Sequence, residues 1–146
     1  MPKEQKNQKA LGFRLINIEE RQFSKFPIEH LEKGSIKEKA GFNFGIYENE
    51  SGELAIGCGC LYTLESGDKP FLNIEAICFF ECNDLDKSVK TSYLLKKETA
   101  RHLAVITSGT TRGILFANTK NTPYAAYPMR LLNVQDILQE DIELEL

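Results

Sequence analysis

Long apolar runs and clustered basic residues are both missing from this sequence. No stretch approaches the roughly 18 apolar residues of a membrane span, and Lys3 and Lys6 are followed by polar residues rather than by the apolar run of a signal peptide. The formal net charge is -3 with scattered Lys and Arg, whereas nucleic-acid-binding proteins normally carry a concentrated basic surface. We therefore expect a cytoplasmic protein with no membrane insertion and no nucleic-acid partner.

Catalytic motifs are equally scarce. The sequence has no GxxxxGK[ST] phosphate loop, GxGxxG turn, GxSxG elbow or HExxH helix. Only two histidines occur, and His102 falls on the bulky face of a predicted helix, where an interior imidazole is commoner than a general base. A Cys–His pair can be drawn, but no pattern supplies an orienting group or an oxyanion donor. We expect no catalytic residues, no enzymatic activity and no cofactor.

The four cysteines raise the question of a metal site. Their C-x-C and C-x3-C spacings place Cys58, Cys60, Cys78 and Cys82 within predicted strands. Structural zinc ligands usually come from turns with about two to four intervening residues. Reduced, buried thiols are the favoured interpretation for a cytosolic chain, and zinc binding and redox chemistry are the alternatives.

The length of 146 residues is suited to one domain. Residues 1–10, MPKEQKNQKA, are too polar to pack and predict a disordered arm. Residues 11–140 are predicted to form the domain. Residues 141–146, at the end of QEDIELEL, are predicted to form a solvated acidic tail.

Four strands are predicted before the first long helix. Residues 13–25 alternate imperfectly, as an outer or interface strand does, and turns are predicted at residues 50–53 and 65–70. In the third strand, alternate residues from Leu54 to Leu64 form a core face, while Gly57 and Gly59 lie on the reverse face. These glycines predict either a shallow place for close approach or a bulge. The order of strands followed by helices predicts an α+β fold with an antiparallel sheet.

The predicted long helix has two contact faces. A helical wheel places a bulky side toward the sheet, formed by Leu95, Leu103, Val105, Ile106, Gly109 and Gly113. The opposite side carries small residues and predicts close approach of a helix from another subunit. We interpret this stripe as an oligomer interface formed by Ala100, Ala104, Thr107, Ser108 and Thr111.

The helix is followed by a connecting loop that holds two prolines, Pro123 and Pro128. Asn133 could cap a last short helix containing Val134, Ile137 and Leu138. More aromatic and apolar residues occur than one helix can cover, which favours an interface or a groove. The alternative is that the loop folds back and buries them all.

With this order of elements, residues 13–139 resemble the SecB family of protein-export chaperones. ETARHLAVITSGTTRG is similar to the long helix of the family, and residues 122–138 are similar to its Pro-containing loop and last helix, with Pro128, Leu131, Leu132 and Asn133 as the matching residues. The resemblance implies a tetramer built as a dimer of dimers, with grooves that hold unfolded preproteins. It assigns the substrate-binding role to Phe42, Phe44, Phe116, Tyr124, Tyr127, Met129 and Leu131.

Two departures from the family pattern affect the expected partners. The segment of residues 114–127 is longer than the family's usual connection between the long helix and the Pro-Asn motif. The C-terminal tail that reaches the SecA translocation motor in typical members is not recognisable. Engagement of SecA is therefore not expected from the resemblance alone. Relatives of this fold also serve as chaperones for the antitoxin of a toxin–antitoxin pair.

The functional expectation is a holdase for extended polypeptides, either for protein export or dedicated to an antitoxin. The enzymatic alternative is a hotdog-type acyl thioesterase with Glu98 as its base. The order of elements disfavours it, because a hotdog chain places its long helix before most of its strands.

Overall fold

The chain folds as a four-stranded antiparallel sheet with a long helix across one face and a small three-stranded sheet. A computed structural model describes residues 13–27, 36–82, 85–89 and 92–146; the predicted arm, residues 1–10, lies outside them. The elements are β1 (Phe13–Lys25), β2 (Ile36–Glu48), β3 (Leu54–Ser66), β4 (Lys69–Cys82), β5 (Asp86–Val89), β6 (Ser92–Leu95), α1 (Lys97–Thr119), a 3-10 helix (Pro123–Ala126), α2 (Val134–Ile137) and β7 (Ile142–Glu145). This order confirms the predicted α+β class.

The central sheet, formed by β1 to β4, has the strand order β1-β4-β3-β2. Both predicted turns are present. Gly52 lies between β2 and β3 with φ of 80°, and Gly67 lies between β3 and β4 with φ of 62°. Glycine suits these positions because other residues avoid the left-handed region. The side-chain oxygen of Asn49 accepts hydrogen bonds from the Ser51 and Glu53 amides, which fixes the first turn.

Strand register places the predicted core face of β3 toward the helix. Cys58 lies opposite Phe44 of β2 and Cys78 of β4, so the three inner faces align. Alternate β3 residues are at most 5% exposed from Ile56 to Leu64. The prediction of this face is confirmed, with Leu54 half-buried at its edge.

The reverse face of the central sheet contains the two β3 glycines. A Cβ on Gly57 would lie 2.8 Å from a ring carbon of Tyr47, and one on Gly59 would clash with the Asn43 amide oxygen. The Tyr47 ring also meets the Phe79 ring edge to face at 5.5 Å. Side chains of the neighbouring strands therefore fill the shallow place that the sequence predicts, rather than an outside element.

The helix packs on the sheet mainly through the small-residue stripe rather than through the predicted bulky side, of which Leu103 is buried as predicted at 0% exposure. The small-residue stripe is buried, with exposures of 0% except for 5% at Ser108. Val105, by contrast, is 58% exposed, and a Cβ at Gly109 or Gly113 would meet nothing within 4 Å. The prediction of a subunit interface is wrong, because the sheet of the same chain covers Ala100, Ala104, Thr107, Ser108 and Thr111.

Small residues on both surfaces explain this orientation. α1 lies over β3 and β4, where the Cys58 thiol is close to Thr107 on the helix. The helix can therefore approach the sheet closely without a void. Its hydroxyls add little desolvation cost, because they bond to carbonyls of the preceding turn: Thr107 Oγ1 donates to Leu103 O and Thr111 Oγ1 to Thr107 O, each at 2.7 Å.

The small sheet, formed by β5, β6 and β7, has the order β5-β6-β7 and is absent from the sequence prediction. Leu95, predicted to lie on the helix, ends β6 and is 2% exposed. Residues 142–145 form β7, with Leu144 only 4% exposed. The prediction of a solvated tail over residues 141–146 is wrong, because alternate apolar residues there complete the core.

The C-terminal segment, residues 120–146, crosses back over the edge of α1. α1 continues to Thr119, past the Arg112-Gly113 pair at which the resemblance ends the helix. Asn133 occupies the N-cap position of α2 as predicted, but its amide donates to the Asp136 carboxylate at 2.8 Å rather than accepting from the backbone. No helix among the described ranges is long and apolar enough to cross a membrane.

Candidate functional site

The seven predicted substrate-binding residues differ widely in exposure. Phe116 is 65% exposed and Leu131 is 85% exposed, whereas Met129 is only 3% exposed. Four others are partly buried against the core: Phe42, Phe44, Tyr124 and Tyr127. The structure therefore leaves two of the seven fully accessible to a ligand.

Met129 anchors the C-terminal segment from inside. Its side chain lies in a buried cluster with Tyr62 and Leu115. Its carbonyl oxygen accepts a hydrogen bond from Arg112 Nε at 3.2 Å. The prediction that Met129 contacts a ligand is contradicted by this burial, because the side chain already fills the space between the segment and the sheet.

Phe42 and Phe44 lie on the inner face of β2, as the register requires. Phe44 packs against the buried cluster that contains Val134 and Leu144, and Phe42 packs against that cluster and the one that contains Met129. Both rings support the C-terminal segment. The structure does not present them as an open groove together with Phe116.

The two tyrosines attach the loop after α1 to the central sheet. The Tyr127 ring meets the Phe71 ring edge to face, with centroids 5.2 Å apart. The Tyr124 hydroxyl donates to the Phe26 carbonyl, and Lys25 Nζ lies 5.8 Å from the centroid of the Tyr124 ring. These contacts fold the loop back, which matches the sequence alternative for these two aromatics.

Phe116 and Leu131 form the helix-end patch. The Arg112 bond to Met129 O ties the C-terminal segment to the last turns of α1. Phe116 is one helical turn after Arg112, and Leu131 is two residues after Met129, so the two apolar side chains lie at the same end of the helix. Exposed side chains of this size are usual at contact surfaces.

An open groove of about 540 Å³ lies between the N-terminal half of α1 and α2, and Leu131 adjoins its lining residue Leu132 in the chain. Its floor combines apolar and polar side chains. The groove is lined by Glu98, Arg101, His102, Val105, Leu132, Asn133, Val134 and Gln135. Arg101 fixes its width, because the guanidinium Nε donates to the Leu138 carbonyl at 2.8 Å.

The groove does not provide an organised acid–base pair. Glu98 and His102 are both exposed and lie one turn apart on α1. Within the described part of the chain, neither side chain is held by a hydrogen bond, and the His102 ring contacts only the Phe13 ring, at 6.3 Å. A general base normally needs an oriented partner and a water-excluded site.

The cysteines are structural in the described residues. Cys58, Cys60 and Cys78 are free and buried, and no group of three or more metal-ligating side chains is found in the described ranges. Burial raises the pKa of the Cys58 thiol to about 12 and that of Cys60 to about 11, and the neighbouring hydroxyls of Thr107 and Thr111 offset only part of this rise in pKa. Thiols so protonated at neutral pH are poor nucleophiles and metal ligands.

These raised pKa values predict a loss of stability in alkali. Above about pH 9 the unfolded thiols ionise while the folded thiols stay protonated up to about pH 11 to 12, so the unfolded state binds fewer protons and the free energy of unfolding falls as pH rises. Urea unfolding under reducing conditions at pH 8, 9, 10 and 10.5 measures this slope. Cys58→Ala should flatten it, and an equal slope in that variant would contradict the assignment.

Two exposed surfaces lie mostly outside the seven predicted binding residues, and the second is on β1, which the sequence predicts as an outer or interface strand. The outer face of α1 carries His102, Val105, Gly109, Gly113 and Phe116, where charged residues are usual. On β1, at one edge of the central sheet, the apolar residues Leu15, Ile16 and Ile18 are 40–49% exposed. An exposed apolar edge strand normally requires a partner or a protective device. The outward direction of Gly109 and Gly113 was unpredictable from the wheel alone.

Comparisons with known proteins give a distant structural similarity and no sequence match. No protein-family profile matches the sequence, and no curated protein matches it significantly. Among solved structures, the chain is similar to a Mycobacterium tuberculosis SecB-like chaperone in complex with a peptide from an antitoxin. The similarity covers 82% of this chain and 90% of that chain, with 10% identity and a TM-score of 0.45. Similarity at this level assigns neither a family nor a function.

Proposed function

We propose that this protein is a cytoplasmic holdase, a cofactor-free and non-enzymatic chaperone that binds unfolded or extended polypeptides. The observation that carries the proposal is the helix-end patch, where Phe116 and Leu131 are 65% and 85% exposed. An aromatic ring exposed to this extent offers on the order of 100 Å² for a ligand to cover, worth about 2–3 kcal/mol. Several such contacts bind a chain without requiring one sequence.

The proposal includes self-association, with the tetramer implied by the SecB resemblance as the expected size. The supporting surface is the exposed β1 edge, where Leu15, Ile16 and Ile18 are 40–49% exposed, not the small-residue stripe. A second copy on this edge would cover apolar groups that otherwise face water and would leave Phe116 open to a client. Solution mass by light scattering tests this part, and a monomer at micromolar concentration would contradict it.

Binding to an unfolded probe tests the function itself. A fluorescently labelled, reduced and carboxymethylated α-lactalbumin stays unfolded without denaturant and should bind, while the native form of the same protein should not. Equal binding of both forms, or binding of neither, would refute a holdase. The assay needs no nucleotide, and addition of ATP should leave the affinity unchanged.

The breadth of partners separates the two biological roles. Many captured proteins would support a general chaperone for export, whereas one stoichiometric partner would support an antitoxin-dedicated chaperone. Engagement of the SecA motor is a separate property, measurable as binding to purified SecA.

The thioesterase alternative depends on Glu98 in the α1–α2 groove. We expect no hydrolysis of acyl-CoA substrates. Hydrolysis that disappears in Glu98→Ala would revive this alternative, since that loss would assign the activity to the groove rather than to a contaminant.

A further inference from the structure

The last strand of the chain occupies a site built by other elements. β7 pairs antiparallel with β6, in a register from Leu95↔Ile142 to Ser92↔Glu145, and it also contacts β2. Leu144 enters the buried cluster that contains Ile46 and Leu95. As the edge strand of the small sheet, β7 therefore lies between β6 and β2 of the central sheet, and it contributes one buried side chain to the core.

The residue before β7 caps the long helix. Asp141 Oδ1 accepts a hydrogen bond from the Lys97 amide, the first of α1, at 2.8 Å. Lys96, at the N-cap position, makes no side-chain cap bond. A carboxylate is favoured there because the first amides of a helix lack backbone acceptors and the helix dipole is positive at that end.

The contacts of residues 141–144 define a short pattern. The carboxylate of Asp141 caps the helix, Ile142 is half-buried, and Leu144 is buried, whereas Glu143 and Glu145 are exposed. In an extended chain, side chains two residues apart share a face. The site therefore accommodates the pattern Asp-apolar-x-apolar, as in residues 141–144. The position x, and the position after the pattern, face solvent and accept any residue.

We propose that the β6 edge and the N-terminus of α1 form a binding site for extended, acidic–apolar segments of client polypeptides, occupied in the resting chain by residues 141–144. The proposal rests on the proposed holdase function, which supplies extended polypeptides as ligands. Addition of a strand to an exposed edge is a general mode of peptide recognition, in which backbone bonds give affinity and alternate side-chain pockets give specificity. A client segment with the same pattern replaces β7 on β6.

The short length of β7 makes this exchange feasible. The strand has four residues and pairs along one edge only, so its local opening requires few bonds to break. Occupation by the chain's own segment lowers the apparent affinity for a client in proportion to the fraction of open molecules. A substitution that weakens the resident strand should therefore strengthen binding of an added one.

A synthetic peptide of residues 140–146, EDIELEL, is the probe. Labelled at its N-terminus with fluorescein, it is titrated with full-length wild type, Leu144→Ala and Leu146→Ala while anisotropy is measured. Leu144→Ala should bind at least about tenfold more tightly than wild type, because removal of the buried side chain raises the open fraction. Leu146→Ala should stay within about twofold, because Leu146 is 49% exposed. A control peptide in which Asn replaces the residue equivalent to Asp141 and Ser replaces that equivalent to Leu144 should bind Leu144→Ala at least about tenfold more weakly than EDIELEL does.

Hydrogen exchange on the wild type provides a second test that does not depend on whether Leu144→Ala folds. At saturating peptide, amides of β7 should lose protection while those of β6 keep theirs. Unchanged protection with millimolar peptide overturns the proposal, as does a folded Leu144→Ala that binds no more tightly than wild type. The proposal is also overturned if β7 exchanges only between copies of this chain. That result would appear as a mass that depends on protein concentration, with no change in hydrogen exchange when peptide is added. A negative holdase assay with positive peptide exchange would reject the proposed function and retain this site.

Discussion

Replacement of Ala104 by Asp is expected to lower the free energy of unfolding by about 3–5 kcal/mol, the scale of an uncompensated buried charge. Ala104 is fully buried between α1 and the central sheet, in the cluster that contains Cys58 and Phe80. A carboxylate at this position would have no cationic partner and would enlarge a contact that depends on small side chains. Urea unfolding followed by far-UV circular dichroism measures the loss.

Val105→Asp is the matched control for this prediction. The adjacent residue is 58% exposed, so the same substitution should change the free energy of unfolding by less than about 1 kcal/mol. The pair tests which face of α1 lies inward. A stably folded Ala104→Asp protein with reduced oligomer mass would restore the small-residue stripe as a subunit interface and contradict the observed orientation.

Double replacement of Phe116 and Leu131 by Ser is expected to weaken binding of the unfolded α-lactalbumin probe by at least about 30-fold. The Phe116 ring offers apolar area worth about 2–3 kcal/mol to a ligand and Leu131 adds to this, whereas about 2 kcal/mol already corresponds to this factor. The substitutions should leave the fold intact, because both side chains are mainly exposed. Fluorescence anisotropy gives the affinity, and circular dichroism checks the fold.

Leu61→Ser provides the control for the double variant. Leu61 is 42% exposed and lies on the reverse face of the central sheet, away from the helix-end patch. It should bind the probe as wild type does. A double variant with wild-type affinity would remove the patch from the proposed site, and equal losses in all variants would indicate nonspecific adhesion to apolar surface.

The central sheet was predictable because its determinants are local. Alternation from Leu54 to Leu64 fixes the inner face of β3, and glycines at positive φ fix the two turns. These signals lie within one or two neighbouring strands. Nothing distant in sequence needs to be known to interpret them.

The orientation of α1 was not predictable in the same way. Both helix faces carry uncharged residues, so amphipathicity favours neither strongly. The outcome depends on the small side chains of Cys58 and Cys78 at the centre of the sheet, which allow close contact with Ala100 and Ala104. The packed face of the helix is decided by how well its surface fits the surface of the sheet. A helical wheel describes the helix surface and not the sheet surface.

The small sheet was missed because its strands are only four residues long, and two of them, DKSV and IELE, carry charged residues. The acidic end of the chain is typical of a solvated tail, but Leu144 and Asp141 acquire partners from β6 and α1. The same long-range pairing decides the candidate site. Phe116 and Leu131 were predicted and are exposed, whereas Met129 is buried because the C-terminal segment turns inward beneath Arg112.

Suppression of aggregation is the most direct test of the holdase proposal. A denatured precursor is diluted into buffer with and without equimolar protein, and light scattering is followed at 360 nm, on the general principle that exposed apolar segments associate unless they are bound. We expect slower and weaker scattering with wild type, and much less protection with the Phe116→Ser, Leu131→Ser variant. Equal scattering with and without the wild-type protein would show that it is not a holdase.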